Sequence, residues 1–266
     1  MFLDYKIEEA IKFLRSNEPE EGYILKFSGG KDSIVMYDIV KKAGVKFEAY
    51  YNFTTLDPPE VIQFMKKHNF EVKWIKPKRS FWQWLYFVGP PTKAKRWCCT
   101  KLKHAANPKE RGKKILVGVR AEESWKRAKR GRISWNQDGG NWVYAPIFHF
   151  TEADVWEYIE RFNLPYPSLY DEGFNRVACV VCPFICGNDR LLEKHKERWW
   201  KYYRKFEDVV RVYFERKRAF YESIGVGSAE EVIEKWYRGE PVAVVNGEEA
   251  DEDVEGRNGV LFIENF

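Results

Sequence analysis

Six consecutive residues, Ser28-Gly29-Gly30-Lys31-Asp32-Ser33, carry the groups needed to hold a phosphate. Two glycines let main-chain N–H groups come close to an anion. Ser28 and Ser33 offer hydroxyls, and Lys31 offers positive charge. Asp32 repels a bare phosphate, so its place in the loop calls for a Mg²⁺ ion bridging carboxylate and phosphate if the ligand is ATP. The apolar run before the loop and the periodic segment Ile34 to Val40 after it read as strand and helix. That order aims a helix N-terminus at the bound phosphate. The alternative is a glycine-rich turn that binds nothing. The spacing matches neither Gly-x-x-x-x-Gly-Lys-Ser/Thr nor Gly-x-Gly-x-x-Gly.

Five cysteines form the second constellation. Cys98 and Cys99 are adjacent, and Cys179 and Cys182 are spaced Cys-x-x-Cys. Four soft thiolates suit a 4Fe–4S cluster or a zinc ion, with unmetallated thiols as the third option. Neighbouring side chains diverge, which fits different irons of a cube more naturally than one tetrahedral zinc. Cys186 reads either as a small buried hydrophobe or as a substitute ligand or reactive thiol. Arg120 follows an apolar run ending Gly118-Val119, which aims a guanidinium at oxyanions; Arg127, Arg130 and Arg132 extend the basic stretch. Without a ligand, such a run is an ordinary solvated basic loop.

The Ser-Gly-Gly-x-Asp-Ser loop resembles the PP-loop of the adenine-nucleotide alpha-hydrolase-like superfamily. Three further segments resemble its PAPS/APS reductase-like branch: Gly118-Val-Arg120-Ala-Glu-Glu123-Ser124, Leu169-Tyr170-Asp171-Glu-Gly173-Phe174-Asn-Arg176, and the Cys-Cys…Cys-x-x-Cys set. Together these cover roughly residues 20 to 190. The resemblance implies an α/β fold, a parallel-sheet PP-loop domain with a helical C-terminal extension. It implies nucleotide binding by Ser28, Gly29, Gly30, Lys31, Asp32, Ser33, Gly118 and Arg120, with Thr54 and Thr55 near the adenine and ribose. Catalytic roles would fall to Lys31, Asp32, Arg120, Arg176 and Cys186, and metal ligation to Cys98, Cys99, Cys179 and Cys182. Asn52 or Thr54 stands where the family has an acid near the ribose. The family's C-terminal Glu-Cys-Gly-Leu-His thiolate has no counterpart after Cys186.

The elements that must position these groups alternate. Helices are expected at 3–16, 31–43, 59–68, 80–88, 100–106 and 151–162, with strands at 22–27, 45–52, 72–75, 114–119 and 142–146. Alternation of this kind builds a parallel sheet with ligands beyond its strand C-termini. Residues 122–132 read as a basic loop. From 188 to 223 the chain reads as strongly helical, and another helix runs to about 237. Boundaries are expected at 1–186 for the nucleotide domain, 187–240 for the helical extension and 241–266 for an acidic tail with a strand-like end at Val260 to Ile263.

With 44% hydrophobic and 32% charged residues, the composition is that of a soluble globular chain. No apolar stretch is long enough to span a membrane, and the N-terminus reads as an amphipathic helix, so a cytoplasmic location is expected. Cysteine pairs in that compartment point to metal or redox chemistry. A net charge of +5 is compatible with a polyanionic partner but too small to require one. The cluster Trp199-Trp200-Lys-Tyr202-Tyr203-Arg-Lys-Phe206 with Arg211, Arg216 and Arg218 is either helix core or a stacking surface for nucleic acid.

Two activities fit. One is reduction of an adenylylated sulfate, PAPS or APS, to sulfite, with Cys186 or an external thiol or thioredoxin-like donor. The other is ATP-dependent adenylylation with pyrophosphate release and sulfur transfer to a nucleic acid, as in tRNA thiolation or DNA phosphorothioation. A non-enzymatic nucleotide or redox sensor ranks third. Homo-oligomerisation is compatible with either activity.

Overall fold

In the computed structural model, which describes residues 2–104, 110–137 and 139–243, the apolar run Tyr23–Lys26 is strand β1 of a six-stranded sheet. Strands β2 (Phe47–Asn52), β3 (Lys73–Ile75), β4 (Lys114–Leu116) and β6 (Asn141–Tyr144) are joined by parallel pairings, and β5 (Ile133–Asn136) pairs antiparallel with β6 at the edge. The order is β3-β2-β1-β4-β6-β5. The antiparallel edge strand differs from the wholly parallel sheet expected. Ile133–Asn136 lies so close in sequence to β6 that a hairpin is the short connection available.

The described residues group into two compact units. The first holds the sheet and comprises the residues through Phe53, Asp57–Lys76 and those described within His104–Val177. Helix α1 (Phe2–Ser16) packs beside α2 (Lys31–Ala43), and α2 beside α7 (Glu152–Arg161). Tyr23 donates its hydroxyl to the Leu14 carbonyl at 2.9 Å, tying β1 to the end of α1. Ile24, Tyr50 and Ile115 form a further apolar cluster with Ile75 and Val117. Helix α3 (Pro59–Lys67) precedes β3.

The second unit comprises Thr54–Leu56, Pro77–Lys103 and the described residues from Ala178 onward. It holds α4 (Phe81–Val88) and α5 (Trp97–Cys99), which runs on into a π-helical turn, Thr100–His104. The 188–223 segment is three helices: α8 (Asp189–Arg198), α9 (Trp200–Arg216) and α10 (Arg218–Ser223). Helix α11 (Ala229–Tyr237) follows and packs on α9 with Phe206 and Trp236 ring centroids 4.3 Å apart. The Trp236 indole donates to the Pro91 carbonyl at 2.6 Å.

Residues 122–132, read from sequence as a loop, contain the end of a 3₁₀ turn, Ala121–Glu123, and helix α6 (Trp125–Arg130). Ser124 caps α6 by accepting from the Arg127 N–H at 3.3 Å, a cap masked in sequence by the surrounding charge. No helix among the described residues is long and apolar enough to cross a membrane. The acidic tail expected after residue 241 falls, from 244 on, outside the described residues.

Candidate active site

The loop after β1 is held by one side chain. Ser33 accepts from the Ser28 N–H at 3.2 Å and from the Ser28 hydroxyl at 3.1 Å, and donates to the Gly30 carbonyl at 2.8 Å. The Ser33 hydroxyl is thus the staple of the turn rather than a free donor. Gly29 holds φ 73°, and a Cβ there would lie 2.9 Å from the Val61 side chain, so the turn needs glycine. A Cβ on Gly118 would lie 3.0 Å from the Asp32 carbonyl, so the exit of β4 packs directly on the first turn of α2.

Lys31 is buried at 3% exposure. Its ammonium donates to the Asn175 carbonyl at 3.1 Å, lies 3.4 Å from Glu152, and sits over the Tyr170 ring. Its backbone N–H donates to the Tyr170 hydroxyl at 3.0 Å. Burial pushes the Tyr170 phenol up to about 12, so it stays a neutral hydrogen-bonding group. Tyr170 therefore takes up one N–H at the mouth of the loop.

Arg120, also 3% exposed, has all three guanidinium nitrogens on carboxylates: Nε on Asp32 at 2.5 Å, Nη1 on Glu122 at 2.7 Å and Nη2 on Glu152 at 3.0 Å. Burial disfavours its charge, but Asp32 beside it more than offsets this and holds its pKa above the ordinary value. Burial likewise opposes ionisation of Glu152, while Lys31 and Arg120 outweigh it and hold its pKa low. Asp32, Glu122 and Glu152 thus face two cations, Lys31 and Arg120, so this network holds one carboxylate more than it has cations. Arg176 follows the Asn175 that anchors Lys31, is exposed, and meets no carboxylate among the described residues.

All five cysteines fall in the second unit. The Cys98 thiol hydrogen-bonds the Cys99 thiol. That bond, then burial, then the charges of Cys99, Cys179 and Cys182 raise the Cys98 pKa far above the normal thiol range. Burial, then the neighbouring thiolates, raises Cys182 also. Cys98 and Cys182, whose ionisation is opposed by burial and by the neighbouring cysteines, have with them the donor chemistry of a metal-thiolate site, because a bound cation relieves that opposition. As the side chains stand, no group of three or more His, Cys, Asp or Glu residues among those described converges on one point. Cys186 is 3% exposed, and burial pushes its thiol up to about 12. These are the surroundings of a packed small side chain, not of an attacking thiolate.

Thr54 and Thr55 lie in this same unit. Thr54 is buried, accepts from the Leu56 N–H at 3.3 Å and lies 3.7 Å from the Cys179 sulfur. Thr55 accepts from the Phe81 N–H at 2.8 Å and so helps cap α4. Both hydroxyls have local structural partners. In α9 and the residue before it, Trp199, Tyr203 and Phe206 are buried core. Arg211 bonds Glu230 and Asp208, Arg218 bonds Glu215, and Arg216 donates to the Tyr86 carbonyl. The core reading thus holds for Trp199, Tyr203 and Phe206, while Trp200 is exposed and the three arginines are held by local partners.

Sequence reading alone did not single out Tyr170, Glu122 or Glu152 as site groups. Tyr170 stands in the quoted Leu-Tyr-Asp segment, and Glu152 opens a helix behind the capping residue Thr151, so the signals present were local ones.

A model of the phosphoadenosine phosphosulfate reductase domain matches residues 22–184. The chain belongs to this family. The match takes in the Ser28–Ser33 loop, Arg120, Arg176 and the four paired cysteines of a family of nucleotide-using enzymes. An uncharacterized protein of Methanocaldococcus jannaschii is 29% identical over 247 residues, covering 88% of this chain and 50% of that protein. The chain thus spans about half the length of the archaeal relatives it matches. The phosphoadenosine 5'-phosphosulfate reductase of Gloeobacter violaceus is 26% identical over 167 residues, covering 59% of this chain and 68% of that enzyme. The crystal structure of the PAPS reductase of Candida auris aligns with a TM-score of 0.50 at 16% identity, over 66% of this chain and 93% of that one, which shows the shared fold.

Proposed function

We propose that this family member binds an adenylylated sulfate, PAPS or APS, at the Ser28–Ser33 loop and reduces it to sulfite. The observation that carries this reading is Arg176, an uncommitted guanidinium beside the residue that anchors Lys31. The pre-folded loop supports it by presenting main-chain donors without reorganisation. Sulfur passes from S(VI) to S(IV) as its bond to the phosphate oxygen breaks and the adenosine phosphate (AMP from APS, adenosine bisphosphate from PAPS) leaves, and the two electrons come from a pair of thiols that closes to a disulfide. Buried Cys186 is a poor source of that thiolate, so the donor is an external thiol or thioredoxin-like protein. Cys98, Cys99, Cys179 and Cys182 would hold a 4Fe–4S cluster, or zinc in its place. Such a cluster, when bound, would supply a redox-active or electronically tuning iron–sulfur centre. The test is sulfite release from PAPS or APS with dithiothreitol or thioredoxin, on anaerobically purified protein assayed for iron and sulfide. Turnover of neither nucleotide would refute the reading, and a zinc-loaded, iron-free protein would refute the cluster.

The excess of carboxylate around Arg120 favours a second reading. ATP arrives with a divalent cation, and Mg²⁺ on Asp32 would offset that negative charge. The chain would then adenylylate a target, release pyrophosphate and pass sulfur to a nucleic acid. Pyrophosphate release from ATP that vanishes in Asp32→Ala, with no sulfite formed from PAPS or APS, would select it.

A further inference from the structure

The β5–β6 hairpin carries two tryptophans that the fold leaves uncovered. Trp135 and Trp142 are directly opposite in the antiparallel register, with ring centroids 5.2 Å apart, and are 49% and 45% exposed. Trp142 and Tyr144 are two residues apart and share one face of the sheet. Tyr144 is buried beside Phe13 of α1, at 5.9 Å between ring centroids. The same face is therefore covered at Tyr144 and bare at the tryptophan pair.

Cations precede the pair in the chain. Between Ser124 and Asn136 the chain has Lys126, Arg127, Lys129, Arg130 and Arg132 and no carboxylate. Arg127 is taken by Glu123, and Arg132 by Glu9 and the Phe13 ring. Lys126, Lys129 and Arg130 are exposed and meet no carboxylate among the described residues. Lys129 lies 5.1 Å from the ring of Trp125, which is 72% exposed. From Arg130 to Trp135 the chain can span at most about 18 Å, so cations and rings lie within reach of one short ligand.

We infer that α6 and the β5–β6 hairpin form a docking surface for single-stranded nucleic acid. Free ammonium and guanidinium groups track the phosphates, and exposed indole faces stack unpaired bases. A duplex keeps its bases stacked inside and has nothing to offer the indoles. The inference is independent of which nucleotide the Ser28–Ser33 loop binds, and it moves nucleic-acid contact away from α9.

Fluorescence anisotropy of a fluorescein-labelled 15-nucleotide RNA, with its duplex as control, tests this on the full chain. The single strand should bind more tightly than the duplex, with affinity falling as salt rises. Trp135→Ala with Trp142→Ala should weaken the single strand about tenfold or more, and Trp135→Phe with Trp142→Phe should retain most of the affinity. Lys126→Glu with Lys129→Glu and Arg130→Glu should reduce binding further and flatten the salt dependence, with far-UV circular dichroism unchanged. Absence of binding at low salt, equal affinity of the alanine and native proteins, or equal affinity for duplex would each overturn the inference. So would loss of a dimer in the tryptophan variants without any RNA binding, which would make the face a contact between copies of this chain.

Discussion

Arg120 and Arg176 are both arginines of the matched family segments, yet their surroundings differ in kind. Arg120 has each guanidinium nitrogen on a carboxylate and is buried, whereas Arg176 is exposed. Removing Arg120 leaves Asp32 without its nearest partner and takes from Glu152 one of its two cations. Arg120→Ala is expected to lower stability by about 3 kcal/mol, read by urea unfolding. Arg176→Ala is expected to leave the unfolding midpoint unchanged and to weaken sulfonucleotide binding about 10- to 100-fold, the worth of a charged hydrogen bond, read by calorimetric titration. Equal losses of stability in the two variants would show that the division is wrong. Ser33 is a third case at this scale. Its hydroxyl serves three partners within the loop, so Ser33→Ala should cost about 1–3 kcal/mol and loosen the loop.

Close approach of β4 to α2 fixes where the loop sits. The backbone at Gly118 lies where a Cβ would meet the Asp32 carbonyl and the Ser33 N–H at 3.0 and 3.1 Å, and main chain cannot swing aside as a flexible side chain can. Gly118→Ala is expected to cost about 1–3 kcal/mol and to displace the first turn of α2, lowering nucleotide affinity along with stability. Urea unfolding with and without nucleotide separates the two effects. In the second unit the corresponding element contact is α9 on α11. Phe206 is fully buried against Trp236, and Phe206→Ala should cost about 3–5 kcal/mol in the same assay.

For the whole molecule, acid stability follows from groups in both units. His195 is 4% exposed, and desolvation holds its imidazole below the usual 6.5. The unfolded chain takes up that proton first, so the His195 contribution is complete above about pH 6.5 and declines below it. At Asp154 burial alone would raise the pKa, but Lys6 and Thr151 outweigh it; Glu152 is held low by Lys31 and Arg120. Their contributions are present above the ordinary values of 4.5 for Glu152 and 3.8 for Asp154 and disappear as pH falls through the lowered ones. The urea midpoint is therefore expected to decline in two stages on acidification, and His195→Gln should remove the upper stage alone. A single decline confined to pH below 4.5 in the native protein would contradict the account of His195.

The strand–loop–helix around Ser28–Ser33, the family and the two cysteine pairs are legible in the sequence alone, because each depends on residue type at short spacing. Gly29, Gly30 and the alternation from β1 through β3 are local signals that no distant contact needs to supply. Tertiary structure alone decided which side chains are already committed. That Arg120 is locked by Asp32, Glu122 and Glu152, that Ser33 faces inward, and that Thr55 caps α4 all depend on partners chosen by packing rather than by spacing. The antiparallel edge strand was hidden for the same reason. Ile133–Asn136 is short and follows a charge run, and only its register against β6 makes it a strand and leaves Trp135 and Trp142 side by side on an open face.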